Sequence, residues 1–193
     1  MNLAIFGGTF DPIHTAHLAA ARAAADRFDL GRVLFVPAAS PPHKAGGTHA
    51  PYEDRVRMAE LACAGDPRFA VSRLEEGTAR SYSIDTIEKL RPQLGEGDEL
   101  FFLIGADAFS ELRTWHRWRD VARAVRFLVV SRPGHVYDVP EGVRLERLDT
   151  LELPVSSSEI RRALAAGGRP PEVPAGVMEY IFRRGLYGVR VTV

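Results

Sequence analysis

Two histidines three residues apart, His14 and His17, follow a glycine pair, Gly7-Gly8, that interrupts the short apolar run Leu3 to Phe6. The run reads as a buried strand, and the alanine-rich stretch Leu18 to Arg27 reads as the helix after it. A junction of this kind suits phosphate. The glycines let backbone N–H groups come close, and the start of a helix offers unpaired N–H donors with a partial positive charge. Imidazoles at that mouth donate hydrogen bonds to phosphate oxygens without the fixed charge of lysine. Two further groupings carry chemistry. His43 and Lys44 sit on a long Pro- and Gly-rich loop, residues 37 to 47, and can hold an anionic group. Ser156, Ser157 and Ser158 precede Glu159 and Arg161, which puts hydroxyls at a helix start and an arginine in its first turn.

Each piece alone has an ordinary explanation. A glycine pair after a strand is commonly a turn, and the serine trio is a helix cap with Glu159 well placed against the dipole. Histidines at this spacing could also bind metal, completed by His43 or His49, but the single Cys63 offers no thiolate cluster and no H-E-x-x-H is present. The first strand is followed by neither G-x-G-x-x-G nor G-K-[ST], so the dinucleotide fingerprint and the Walker A loop both fail. The combination at one strand-to-helix junction is more specific than its parts.

The positioning elements alternate. Leu3 to Phe6, Val33 to Val36, Phe69 to Ser72, Leu100 to Ile104 and Phe127 to Val130 read as strands, several of them continuous apolar runs that need cover on both sheet faces. Ala19 to Phe28, Tyr52 to Ala64, Ser83 to Leu94 and Trp118 to Val125 read as the helices between them, with Ser157 to Ala166 and Ala175 to Arg184 as a helical C-terminal part. This is an α/β pattern, a doubly wound, mostly parallel sheet, expected as a single domain over 1–193 with 156–193 as its C-terminal helical subregion. Ligands in such sheets bind beyond the carboxyl ends of the strands, where Gly7-Gly8, the 37–44 loop and Gly105-Ala106-Asp107 all fall.

With 193 residues the chain can bury roughly 70% of its unfolded surface without staples. Its 25 basic and 25 acidic residues balance, so no global field recruits nucleic acid or an anionic membrane, and any anion site must be local. One cysteine forms no internal disulfide, no apolar run approaches the ~18 residues of a spanning helix, and no basic leader precedes the first strand. Cytoplasm is the expected location.

The segment Gly7-Gly8-Thr9-Phe10-Asp11-Pro12 with His14 and His17 resembles the G-G-T-F-D-P-x-H-x-G-H start of the bacterial nicotinate mononucleotide adenylyltransferases, members of the H-x-x-H nucleotidyltransferases; Ala16 stands where the family has glycine. Pro41-Pro42-His43-Lys44, Ser81-Tyr82-Ser83-Ile84-Asp85-Thr86, Gly105-Ala106-Asp107 with Trp115-His116, Val155 to Arg161, and Tyr180 to Tyr187 resemble further segments of that family, nearly the whole chain. The resemblance implies a Rossmann-like nucleotidyltransferase fold and transfer of the adenylyl group of ATP to nicotinate mononucleotide. It implies that His14, His17 and Arg161 are catalytic, that Gly8, Thr9, Phe10, His17, Gly105, Asp107, Ser156, Ser157 and Arg161 bind ATP, and that His43, Lys44, Thr86, Trp115 and His116 bind the acceptor. Trp115 is then the ring that stacks on nicotinate, and the start of the Ser83 helix receives its carboxylate. Mg²⁺ is the implied cofactor, carried by the ATP phosphates with no protein metal site. Another phosphomonoester acceptor, phosphopantetheine or nicotinamide mononucleotide, and a nucleotide-sensing module without turnover are the competing readings.

Overall fold

The computed structural model describes residues 1–41, 47–132, 134–149 and 155–191. Strands β1 (Asn2–Gly8), β2 (Leu30–Pro37), β3 (Phe69–Val71), β4 (Leu100–Gly105), β5 (Arg126–Ser131) and β6 (Leu145–Asp149) form one sheet in the order β3-β2-β1-β4-β5-β6, and every pairing is parallel. The strand order reverses at β1, whose Phe6 lies beside Phe35 of β2 and Leu103 of β4. Helices α1 (Thr15–Arg27), α2 (Tyr52–Cys63), α3 (Ser83–Leu90), α4 (Ala106–Ser110), α5 (Trp118–Ala124), α6 (Ser157–Ala165) and α7 (Ala175–Arg184) supply the cover.

The two-residue period of a strand divides the core. Ala4 and Phe6 of β1, with Val33, Phe35, Phe101, Leu103 and Leu128, meet α1, α2, α6 and α7 on one face. Leu3 and Ile5, with Phe102, Ile104, Phe127 and Val129, meet α3, α4 and α5 on the other. The C-terminal helices thus share the first of these cores, through Ile160, Leu164, Val177 and Ile181. In α1 the buried residues are all alanines, Ala20, Ala21, Ala24 and Ala25, so its backbone approaches the sheet closely.

The main departures from the sequence reading are two helix boundaries and two added elements. Helix α1 begins at Thr15 with His14 as its N-cap, which puts His17 inside the first turn. Helix α3 stops at Leu90 and continues as a tighter turn over Arg91–Gln93, because Pro92 cannot donate into the helical ladder. Helix α4 and strand β6 were not expected. Leu148 is the one fully buried residue of Leu-Glu-Arg-Leu-Asp in β6, a charged edge strand whose pattern carries little strand signal.

Candidate active site

The β1–α1 junction lies at the carboxyl edge of the sheet beside the reversal point, where crevices of doubly wound folds open. Its backbone is held from four directions. The N–H of Ala38 donates to the carbonyl of Gly8 at 2.8 Å, Arg55 Nη1 to that of Thr9 at 2.8 Å, Arg161 Nη1 to that of Asp11 at 2.8 Å and Ser157 Oγ to that of Pro12 at 3.0 Å. Phe10 sits at φ 50 with its ring 2% exposed, a left-handed conformation that is costly for a bulky residue and is kept here by packing against Phe6 and Phe35. A Cβ on Gly8 would stand 3.0 Å from that ring, a tight contact that glycine avoids.

At the start of α1 the two imidazoles stack, with centroids 3.8 Å apart and planes 26° apart. The N–H of His14 donates to Nδ1 of His17 at 3.2 Å. That bond makes Nδ1 an acceptor, so a neutral His17 carries its proton on Nε2 and presents a donor. Burial lowers the His14 pKa to about 4, and burial followed by the neighbouring His14 holds His17 well below its ordinary range. Both rings are therefore neutral donors at pH 7. Nδ1 of His14 is buried with no partner. Ala16, between them in the first turn of α1, is half-buried.

Helix α6 points its N-terminus at the same junction. Ser156 caps it, its Oγ accepting from the N–H of Glu159 at 3.2 Å and donating to Oε2 of Glu159 at 2.9 Å, while Ser157 reaches the junction itself. Arg161 spends one guanidinium nitrogen on Asp11 and is half-buried; Arg162 is exposed. Beyond β4, Gly105 and Asp107 are exposed, and a Cβ on Gly105 would enter open space.

A cleft of about 530 Å³ is lined by Ser81 to Ser83 on one wall and by Ala108, Glu111, Thr114, Trp115 and His116 on the other. Trp115 packs edge-on against Phe102 with centroids 5.7 Å apart, and His116 lies over Tyr82 at 4.5 Å. The structure keeps Thr86 out of this cleft. Its Oγ1 donates to buried Glu75 at 2.8 Å and its N–H reaches the carbonyl of Tyr82, so the side chain anchors α3, while the N–H groups of Ser83 and Ile84 open the helix with no intrahelical partner. Glu88 is paired with Arg117 at 2.9 Å, away from the cleft wall. His43 and Lys44 lie outside the described residues.

A cytidylyltransferase-like family model matches residues 5–163. The probable nicotinate-nucleotide adenylyltransferase of Solibacter usitatus is 72% identical over 187 residues, covering 97% of this chain and 100% of that protein. The chain belongs to the nicotinate-nucleotide adenylyltransferase family. Another family member, from Thermus thermophilus, is 45% identical over 190 residues, 97% of this chain and 100% of that one. The fold agrees at far lower identity. The Plasmodium falciparum nicotinic acid mononucleotide adenylyltransferase superposes with TM-score 0.76 in its complex with APC and 0.75 in its complex with NaAD, at 18% identity over 99% of both chains.

The anchoring roles of Arg55 and Asp11 in this family member were not legible in the sequence. Arg55 is 1% exposed and holds two carbonyls, those of Thr9 and Ala50, and Asp11 accepts from His49, Ala50 and Tyr187. Apart from the Arg55–Ala50 bond, which spans 5 residues, these contacts span 38 to 176 residues. Only an Asp-Pro pair embedded in the glycine motif hinted that residue 11 was special.

Proposed function

We propose that this chain transfers the adenylyl group of ATP to nicotinate mononucleotide, releasing pyrophosphate and forming deamido-NAD, in the cytoplasm. The observation that carries the reading is the stacked neutral pair His14 and His17 at the start of α1, with a cleft walled by Trp115 to take the acceptor. A phosphomonoester has its second pKa near ~6, so the attacking oxygen is already ionised at neutral pH and no general base is needed. That oxygen bonds to the α-phosphorus as the bond to the bridging oxygen breaks and its electron pair leaves with pyrophosphate. His17, through Nε2–H, and His14 donate to phosphate oxygens whose charge grows at this point, while the free guanidinium nitrogens of Arg161 and the N-terminus of α6 with Ser156 and Ser157 face the departing group.

Gly8, Thr9 and Phe10 then line the nucleotide side, with Gly105 and Asp107 beyond β4. On the acceptor side, Trp115 stacks on the pyridine ring, His116 closes the cleft against Tyr82, and the N–H groups of Ser83 and Ile84 meet the carboxylate. Lys44 and His43 remain assigned to the acceptor phosphate by resemblance. No cluster of three His, Cys, Asp or Glu suited to a metal occurs among the described residues; the Mg²⁺ that the resemblance implies would be held by the ATP phosphates and water. Magnesium supplies charge neutralisation on the triphosphate when bound.

Pyrophosphate release measured with nicotinate and nicotinamide mononucleotides at matched ATP tests the reading. A cleft that offers N–H donors favours the carboxylate and leaves donors unpaired against the amide NH₂, so kcat/KM should favour the acid by about 10²-fold or more. Equal values would remove the nicotinate assignment and leave adenylyl transfer; no release with any phosphomonoester would remove both.

A further inference from the structure

Helix α7 and the turn after it reach the active site from the far end of the chain. Tyr180 Oη and Arg184 Nε both donate to Asp54 Oδ1 of α2, at 2.7 and 3.0 Å, which fixes the helix. Gly185 ends it at φ 64, and Tyr187 follows at φ 57, ψ 30, a conformation that a non-glycine residue rarely adopts. The turn swings the Tyr187 phenol back to Asp11, where Oη donates to Oδ1 at 2.7 Å. The same carboxylate, on a residue 1% exposed, accepts from the N–H groups of Ala50 at 3.1 Å and His49 at 2.7 Å. Burial, and then Asp11, raise the pKa of the phenol, so it remains a donor. Between Asp11 and His14 stand only Pro12, whose carbonyl is held by Ser157, and fully buried Ile13.

We propose that Tyr187 is a positioning residue for the reaction: through Asp11 it ties the C-terminal turn to the 11–14 segment and so sets where the His14 imidazole and the start of α1 stand. The inference rests on the adenylyl-transfer reading for its kinetic consequence, and on the geometry alone for its structural one. Tyr187→Phe keeps the ring and removes the hydroxyl, leaving Asp11 Oδ1 with Ala50 alone. The expected result is a fall in kcat of about tenfold, as for one lost hydrogen bond, with KM for both substrates within about twofold. Faster hydrogen exchange should appear at the amides of His49 and Ala50.

Leu186→Ala is the control. Leu186 lies on the same turn, packs against the core and makes no bond to Asp11, so its loss should lower the melting temperature and leave kcat per folded molecule intact. Unchanged kcat in Tyr187→Phe, or an equal kcat loss in Leu186→Ala at matched melting temperature, would overturn the proposal. Should Tyr187→Phe not fold, the native protein still decides: slow exchange at His49 and Ala50 supports the tie, and exchange as fast as that of an exposed loop refutes it. An unmodified chain inactive toward every pyridine mononucleotide would defeat the functional reading instead, since the exchange measurement uses no substrate.

Discussion

Acid should unfold this protein through its candidate active site. His14 is 5% exposed, and its imidazole, at 6.5 in the unfolded chain, is lowered to about 4 by burial in the fold. Between those values the unfolded chain binds more protons than the folded one, so stability falls as pH drops through this window and levels off below it. At about 1.4 kcal/mol per pH unit the drop from 6.5 to about 4 amounts to about 3 to 4 kcal/mol, a large share of the roughly 5–15 kcal/mol typical of a folded domain. His17 adds to the same slope, since protonating either ring repels the other. Asparagine at position 14 keeps a good helix cap at the N-cap of α1 and removes the titration. Denaturant unfolding of the ligand-free protein at pH 7, 6, 5 and 4.5 should therefore show His14→Asn losing about one proton's worth of slope less than the unsubstituted chain. Parallel curves would refute the claim that the His14 site is desolvated and neutral.

Three further outcomes are expected. His17→Ala, which removes one donor from the transferring group, should lower kcat about 10²- to 10³-fold while the protein folds normally, as judged by circular dichroism and melting; near-normal kcat would end its catalytic role. Arg161→Ala should raise KM for ATP and slow turnover, losing both the Asp11 anchor and the cation, whereas exposed Arg162→Ala should change neither by more than about twofold in steady-state assays. EDTA should abolish pyrophosphate release and Mg²⁺ restore it; rescue by Zn²⁺ alone would return His14 and His17 to the metal-ligand reading.

The elements that were legible are those whose burial writes a pattern into few residues. Leu3 to Phe6 and Phe127 to Val130 are apolar without interruption because helices cover both faces of a parallel strand, and Leu100 to Ile104 lies in the same setting. Strand β6 is half-exposed at the sheet edge, where Glu146 meets Arg126 at 3.4 Å instead of a core, so its sequence looks like a polar connection. The helix start was misplaced by three residues because His14 is an unusual N-cap and Thr15-Ala16-His17 has no apolar period. At the site, short-range motifs announced the glycines, the histidines and the cap at Ser156. Thr86 shows the limit of a motif: it was expected to bind the acceptor, and its hydroxyl turns inward to Glu75. Arg55, Asp11 and Tyr187 act across long sequence separations, and nothing local distinguishes a buried arginine or tyrosine from an exposed one.

The spacing of the histidines has a chemical consequence that follows from the helix itself. Residues three apart at a helix start lie one above the other, and here the rings touch at 3.8 Å. Each ring thereby makes a positive charge on the other costly, on top of burial, and both stay neutral where a lysine pair would be charged and mutually repelled. A neutral donor gains in a transition state more than in a ground state, because its bond strengthens only as the phosphate oxygens acquire charge, whereas a fixed cation binds ATP strongly from the outset. In the adenylyl-transfer reading the fixed cation is accordingly placed on the leaving group, at Arg161, and its attachment to the carbonyl of Asp11 holds it to the same loop that carries the histidines. His17→Lys, which puts a fixed cation in place of the neutral donor and leaves Arg161 intact, should tighten ATP and slow turnover together, a pairing that separates transition-state stabilisation from simple nucleotide binding in one set of steady-state measurements.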